Sequence, residues 1–173
     1  MSLQLPEVLN HFNLYNEAEK LIGLTGDVEL PELNMITDTL SGSGVMGEIE
    51  DPVTGAFEST TIKFKWACLH RDLFKLVDTT QPTQLTLRAS LQCMDTATGY
   101  TDYYPCKIVL RGKAKTVNLG TAQNGKKMEC ETEIEIMYIK VVLDNETLLE
   151  VDKLNFVYVV NGKDMLEKIR AQI

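Results

Sequence analysis

Apolar and polar residues alternate with period two along much of this chain, the mark of strands buried on one face. From 83 to 94, "TQLTLRASLQCM" sets Leu85, Leu87, Ala89, Leu91 and Cys93 on one side and Gln84, Thr86, Arg88, Ser90 and Gln92 on the other. From 58 to 66 the same rule turns Ile62, Phe64 and Trp66 inward, with Trp66 as a core anchor, and Lys63 and Lys65 outward. Two longer extended stretches, 103–119 and 126–143, flank "GTAQNG" and follow the turn "DTATG"; one more strand is expected over 148–160. Nearer the N-terminus, "HFNLY", "DVELPEL" and "NMITDTL" read as shorter strands.

The period changes twice. In "CLHRDLFKLVD", Leu69, Leu73, Leu76 and Val77 recur at helical spacing, which predicts a short amphipathic helix ended before Pro82. In "NGKDMLEKIRAQI", a turn at Asn161-Gly162 leads to Asp164 as a helix N-cap with Glu167 three residues on, the capping-box spacing. Strand and helix do not alternate as they do in nucleotide-binding α/β folds. The expected fold class is therefore mainly β (α+β), a sandwich or barrel with one short inserted helix and a short C-terminal helix. One domain over 1–173 is expected, with a projecting glycine-rich loop at about 40–55, where "SGSGVMGEIEDPVTG" is the least core-like part of the middle of the chain.

Composition narrows the function classes. The longest apolar run, "FVYVV" at 156–160, is far short of the roughly 18 residues a membrane helix needs, and "MSLQLPEVLN" lacks the basic and apolar blocks of a signal peptide, so a cytoplasmic protein without a membrane partner is expected. The four cysteines, Cys68, Cys93, Cys106 and Cys130, form no C-x-x-C pair and read as buried thiols. His11 and His70 share no helix face with each other, and Cys68 beside His70 makes no metal-ligand pattern with another Cys or His, which argues against zinc. Charge is uneven: residues 1–55 hold ten acids and one base, a balance of −9, within a chain of net charge −8. Such a segment repels nucleic acid phosphates.

Candidate chemistry is thin. "SGSGVMG" has neither the Lys-Ser/Thr nor the helix start of a phosphate loop, and Ser41 and Ser43 lack a G-x-S-x-G elbow. Tyr100, Tyr103 and Tyr104 cluster near basic residues, where packing at a strand end is the plainer reading. No pair among the carboxylates stands out for glycosidase work. No catalytic, metal or cofactor site is expected. The marked pattern is "ECETEIEI", with Glu129, Glu131, Glu133 and Glu135 on one parity, downstream of Lys107, Arg111, Lys113 and Lys115 on one parity. Pairing the two strands with partners that sum to 246 sets Lys115 against Glu131, Lys113 against Glu133 and Arg111 against Glu135. It also sets Val109, Leu110 and Ile108 against Met137, Ile136 and Tyr138. This charge ladder would fix the register of the pair.

The C-terminal "VDKLNFVYVVNGKDMLEKIRAQI" resembles the closing signature of the major tail tube proteins of contractile-tailed bacteriophages. The matching positions are Asp152, Lys153, Leu154, Asn155, Val160, Asn161, Gly162 and Asp164; "NHFNLYNEAEKLIGLTGDVELPEL" and "LSGSGVMG" are similar to the family's opening. The resemblance implies a tail-tube fold and a structural, non-catalytic protein of the virion tail, assembled in the host cytoplasm as stacked hexameric rings. It implies DNA passing through the lumen without specific binding, and sheath, baseplate and tail-terminator partners. Leu40, Ser41, Gly42, Ser43, Gly44, Val45, Met46 and Gly47 would then form an inter-ring contact loop, and Glu29, Glu48 and Glu50 would face the lumen. A DNA-free contractile bacteriocin, a type VI-like particle and a monomeric ligand-binding β-barrel are the alternatives. An enzyme with a site convergent in space is a further class.

Overall fold

A computed structural model describes residues 4–17, 19–21 and 24–173. Residues 1–3, 18, 22 and 23 lie outside the described residues, the last three within the opening segment of the resemblance. The chain is dominated by antiparallel strands. Strand β1 (Gln4–Asn16) pairs with β7 (Thr83–Asp95), β7 with β8 (Thr101–Asn118), and β8 with β9 (Cys130–Leu143). The two-residue β2 (Glu19–Lys20) folds back on the end of β1.

The sheet forks at β9. Its first half runs beside β6 (Thr61–Trp66), whose far edge carries β3 (Leu24–Glu29). Its second half runs beside β10 (Glu146–Asp152), followed by β11 (Val157–Val160) and β12 (Lys163–Asp164). At the fork Met137 is skipped by the β8 register, and burial changes parity there: Cys130, Thr132, Ile134 and Ile136 face the core before it and Ile139 after it. A bulge of this kind bends the strand and re-aims its side chains, which lets one long strand serve two neighbours.

The core sits under this fork. Ile62, Phe64, Trp66, Leu85, Leu87, Leu110, Ile134 and Ile136 are buried, joined by Leu73 and Leu76 from helix α1 (Arg71–Lys75) and Leu14 from β1. Trp66 donates its indole N–H to Thr132 Oγ1 at 3.0 Å, so the largest core side chain is satisfied in its polar part. Helix α1 is shorter than the apolar spacing predicts. It begins after His70, whose Nδ1 accepts from the Asp72 amide, and leaves Leu69 exposed.

Two further expectations are corrected. The single strand over 148–160 is two strands, β10 and β11, because Asp152 turns the chain: its Oδ1 accepts from the amides of Leu154 and Asn155, and Phe156 takes a left-handed φ of 54°. The capping box at Asp164 forms only in part. Asp164 is still paired in β12 with Val159, and helix α2 (Glu167–Arg170) starts after Leu166. The Asp164 carboxylate accepts from the Leu166 amide, is also held by the Glu167 amide, and binds Arg170. Asn161 and Gly162 form the predicted turn, with φ values of 49° and 75° that suit a tight hairpin between β11 and β12.

Candidate assembly surface

Strands β4 (Met35–Leu40) and β5 (Ile49–Phe57) pair with each other and, among the described residues, with no other strand. Segment 41–48 closes this hairpin through Val45 N–H to Gly42 C=O (3.1 Å) and Gly47 N–H to Val45 C=O (3.2 Å). Leu40, Ser41, Gly42, Ser43, Gly44, Val45, Met46 and Gly47 are all exposed, and the Met46 side chain is bare. The irregular loop expected over 40–55 is in fact confined to 41–48, since Glu50 already pairs with Thr39 and Asp51 with Asp38. Ile36, Ile49 and Val53 add exposed apolar surface. No residue of β4 or β5 is buried and residues 36–54 are all exposed, so the apolar side chains beyond the hairpin base contribute little to the fold of this chain alone.

The base of the hairpin is built differently. Phe57 packs edge-on against Tyr158 with ring centroids 5.1 Å apart. Gly55, at φ 81°, lies so close to Leu166 that a Cβ would fall 2.6 Å from its methyl carbon. Glu58 N–H donates to Asn34 C=O across the two legs. From the other side Lys153 Nζ donates to Glu58 C=O at 2.8 Å and to Thr60 Oγ1 at 3.0 Å.

The carboxylate stripe lies where β9 meets β6 and β8. The expected hairpin of β8 and β9 forms, but its register differs by two or three residues. Lys113 faces Glu135, Thr116 faces Glu133, Asn118 faces Glu131, and Arg111 faces Tyr138. Val109 faces Lys140, Leu110 faces Ile139 and Ile108 faces Val141. Gly112 sets this register: a Cβ there would stand 2.1 Å from the Glu135 carbonyl oxygen, so the strands approach where the side chain is missing. Lys115 is the skipped residue of a second irregularity, and its ammonium reaches Glu133 at 3.9 Å and Glu135 at 3.6 Å.

The cations directly opposite two of the glutamates come from β6. Lys65 faces Glu131 and Lys63 faces Glu133, while Thr61 faces Glu135. Sequence reasoning turned both lysines outward yet missed the pairing, because about 70 residues separate β6 from β9 and no hairpin signal joins them. Burial works against the charge of Glu135, but bonds from Ser59 Oγ (2.6 Å) and the Thr60 amide (3.2 Å), with Lys115 and Lys153 nearby, hold its carboxyl below the usual value. Arg111 instead lies over the Tyr138 ring and pairs with Asp152 at 3.4 Å. Burial and a bond to Glu150 push the Tyr138 hydroxyl up to about 12.

The C-terminal motif is organised by Asp152. Besides its two amide bonds it accepts from Asn155 Nδ2 at 2.7 Å, and although burial opposes its charge, these bonds and Arg111 lower its pKa. Of the proposed luminal acids, Glu29 ends β3 opposite Lys63, Glu48 lies in segment 41–48 and Glu50 is in β5; all three are exposed. Of the cysteines, Cys93 and Cys130 are buried, Cys106 is half-buried and Cys68 is exposed. Tyr100 and Tyr103 are exposed, and Tyr104 faces Leu91.

A sequence profile of the family described as phage tail tube protein FII matches residues 6–173. The chain is 24% identical to a "Tail tube protein" of Escherichia phage P2 over 174 residues, covering 99% of each. It is 23% identical to a "Major tail tube protein" of Serratia phage KSP20, covering 94% of this chain and 92% of the relative.

Proposed function

This chain belongs to the phage tail tube protein FII family, whose members are structural parts of phage tails, and from that premise we propose that it assembles into stacked hexameric rings forming the inner tube of a contractile tail. The observation that carries this reading is the β4–β5 hairpin. It stands apart from the sheet and presents Leu40, Val45, Met46 and Ile49 to solvent, apolar surface that an interface would cover. Segment 41–47 is the contact from one ring to the next. Its glycines let the backbone conform to a neighbour, and Val45 and Met46 supply the apolar contact.

Strand edges are satisfied by pairing between neighbouring subunits around the ring. The lumen conducts DNA without holding it. Glu48 and Glu50, within the acid-rich first 55 residues, repel phosphates there, while Glu29 contributes less because Lys63 stands opposite. A sheath, a baseplate and a terminator meet the outside and the ends of the tube. Self-repulsion among acidic segments makes assembly easier as salt rises.

Negative-stain electron microscopy of the concentrated protein tests the reading, with the full chain beside a deletion of residues 41–47. The full chain should form rings or tubes with an open lumen. The deletion should fold and not polymerise; tubes of normal length from it would remove the contact role of the hairpin.

A further inference from the structure

The hairpin is anchored mainly through its exit leg, with Leu33 of the entry leg half-buried against the core. At the fork, the Ile136 amide donates to Thr60 C=O at 2.7 Å and Met137 C=O accepts from the Lys153 amide at 3.0 Å. These two backbone bonds set the end of β5 and the end of β10 side by side on one bulge of β9. Lys153 then spans the gap, its ammonium donating to Glu58 C=O and Thr60 Oγ1. Its backbone is held in turn by the Asp152 turn, whose carboxylate binds Leu154, Asn155 and Arg111. Leu166 and Tyr158 close on Gly55 and Phe57 just beyond.

The entry leg is held less. Residues 30–34 form no strand, and their recorded backbone tie to the rest of the hairpin base is Asn34 C=O to the Glu58 amide. Beyond Gly55 every residue back to Ile36 is exposed. The direction in which the hairpin points is therefore decided largely over residues 55–60, by Glu135 and Ile136 of β9 and by Lys153, Tyr158 and Leu166 further along the chain.

We propose that Lys153 is a positioning residue for tube assembly: it acts through residues 58–60 to fix the pose in which the β4–β5 hairpin meets a second copy of this chain. The inference rests on the hairpin being the ring-to-ring contact. A hairpin already held in its bound pose loses less freedom on docking, and preorganisation of this kind strengthens association without adding a contact. Lys153 suits the task because one ammonium supplies several donors to a backbone carbonyl and a hydroxyl without covering the hairpin's contact surface.

Lys153→Met keeps the apolar stem and removes the donors. Thr60 Oγ1 still donates to Glu58 C=O at 3.1 Å, so no buried hydroxyl is stranded. The expected result is normal fluorescence from buried Trp66, faster hydrogen exchange of amides 35–57 but not of β7 or β9, and a concentration for assembly raised about tenfold, equivalent to about 1.4 kcal/mol. Lys153→Arg, which keeps charged donors, should restore part of the assembly. If Lys153→Met does not fold, Lys153→Leu, which likewise has no donor, carries the same comparison.

Unchanged exchange of amides 35–57 overturns the clamp. Faster exchange with assembly at the normal concentration overturns the positioning role, and the deletion of 41–47 tells this apart from failure of the contact reading. If the deletion still forms tubes, the contact reading falls; if it does not while Lys153→Met does, only the positioning role falls.

Discussion

Strand β9 and the β4–β5 hairpin use the same kinds of residue to opposite ends. In β9 every second residue from Cys130 to Ile136 is buried, and the glutamates between them meet lysines: Glu131 faces Lys65 and Glu133 faces Lys63. In the hairpin no side chain is buried, and two carboxylates meet each other, with Asp38 directly opposite Asp51. Opposite charges across a strand pair stabilise it and like charges destabilise it. Strand β9 is thus satisfied within one chain, whereas the hairpin leaves both its apolar and its charged groups for another surface. Strength of pattern in the sequence measures the first kind of element and understates the second.

The sharpest way to break this contrast is to cut a large side chain in each region. Phe64→Ala, in the buried core beside Trp66, should lower unfolding free energy by about 3–5 kcal/mol in a urea titration followed by circular dichroism. Ile49→Ser in the hairpin should stay within about 0.5 kcal/mol in the same titration while reducing tube formation. Equal losses at the two sites would show that the hairpin is part of the core.

Gly112→Ala probes the register directly, since its Cβ would meet the Glu135 backbone rather than a side chain that can rotate away. About 1–3 kcal/mol of destabilisation is expected, read as a lower urea midpoint. A neutral result would mean that β8 and β9 can slide.

Acid should weaken the sheet. Glu135 and Asp152 have folded pKa values below their ordinary ones, despite burial, because of the bonds they accept. The stability they contribute is fully present above the unfolded carboxyl values of about 4 and is lost as pH falls through the lowered folded values. Thermal midpoints of the unassembled protein should therefore drop as pH falls below about 4. Replacing both residues by their amides should flatten that drop.

The smallest effect is expected from Asp38→Lys, which turns a like-charge pair into an opposite one. Slower hydrogen exchange across β4 and β5 should report a gain of about 0.2–1 kcal/mol, reduced by solvent screening.

The mainly β class followed from period two alone, and the faces of β6 and β7 were legible, except that Thr86, assigned to the polar side of β7, is buried. So was the Asn161-Gly162 turn, whereas the glycine-rich loop expected over about 40–55 was legible only in part, since 49–55 is strand. The register of β8 and β9 was not legible, because charge parity repeats every two residues and several registers match it equally well. Gly112 and the skipped residues Met137 and Lys115 chose among them. The split of 148–160 into two strands was hidden for a similar reason: Asp152 looks like any charged strand residue until its carboxylate turns back to the Leu154 and Asn155 amides.

Local chemistry thus determined which segments extend, which turn, and which faces are apolar, since each of these depends on neighbours a few positions away. Only the tertiary structure decided that β6 joins β9 beside its sequence neighbours β8 and β10, that Lys63 and Lys65 answer its glutamates, and that Lys153 reaches the base of the hairpin. Those pairings join residues some 70 to 95 positions apart, and no periodicity carries information over that distance. Packing of one common core selects them.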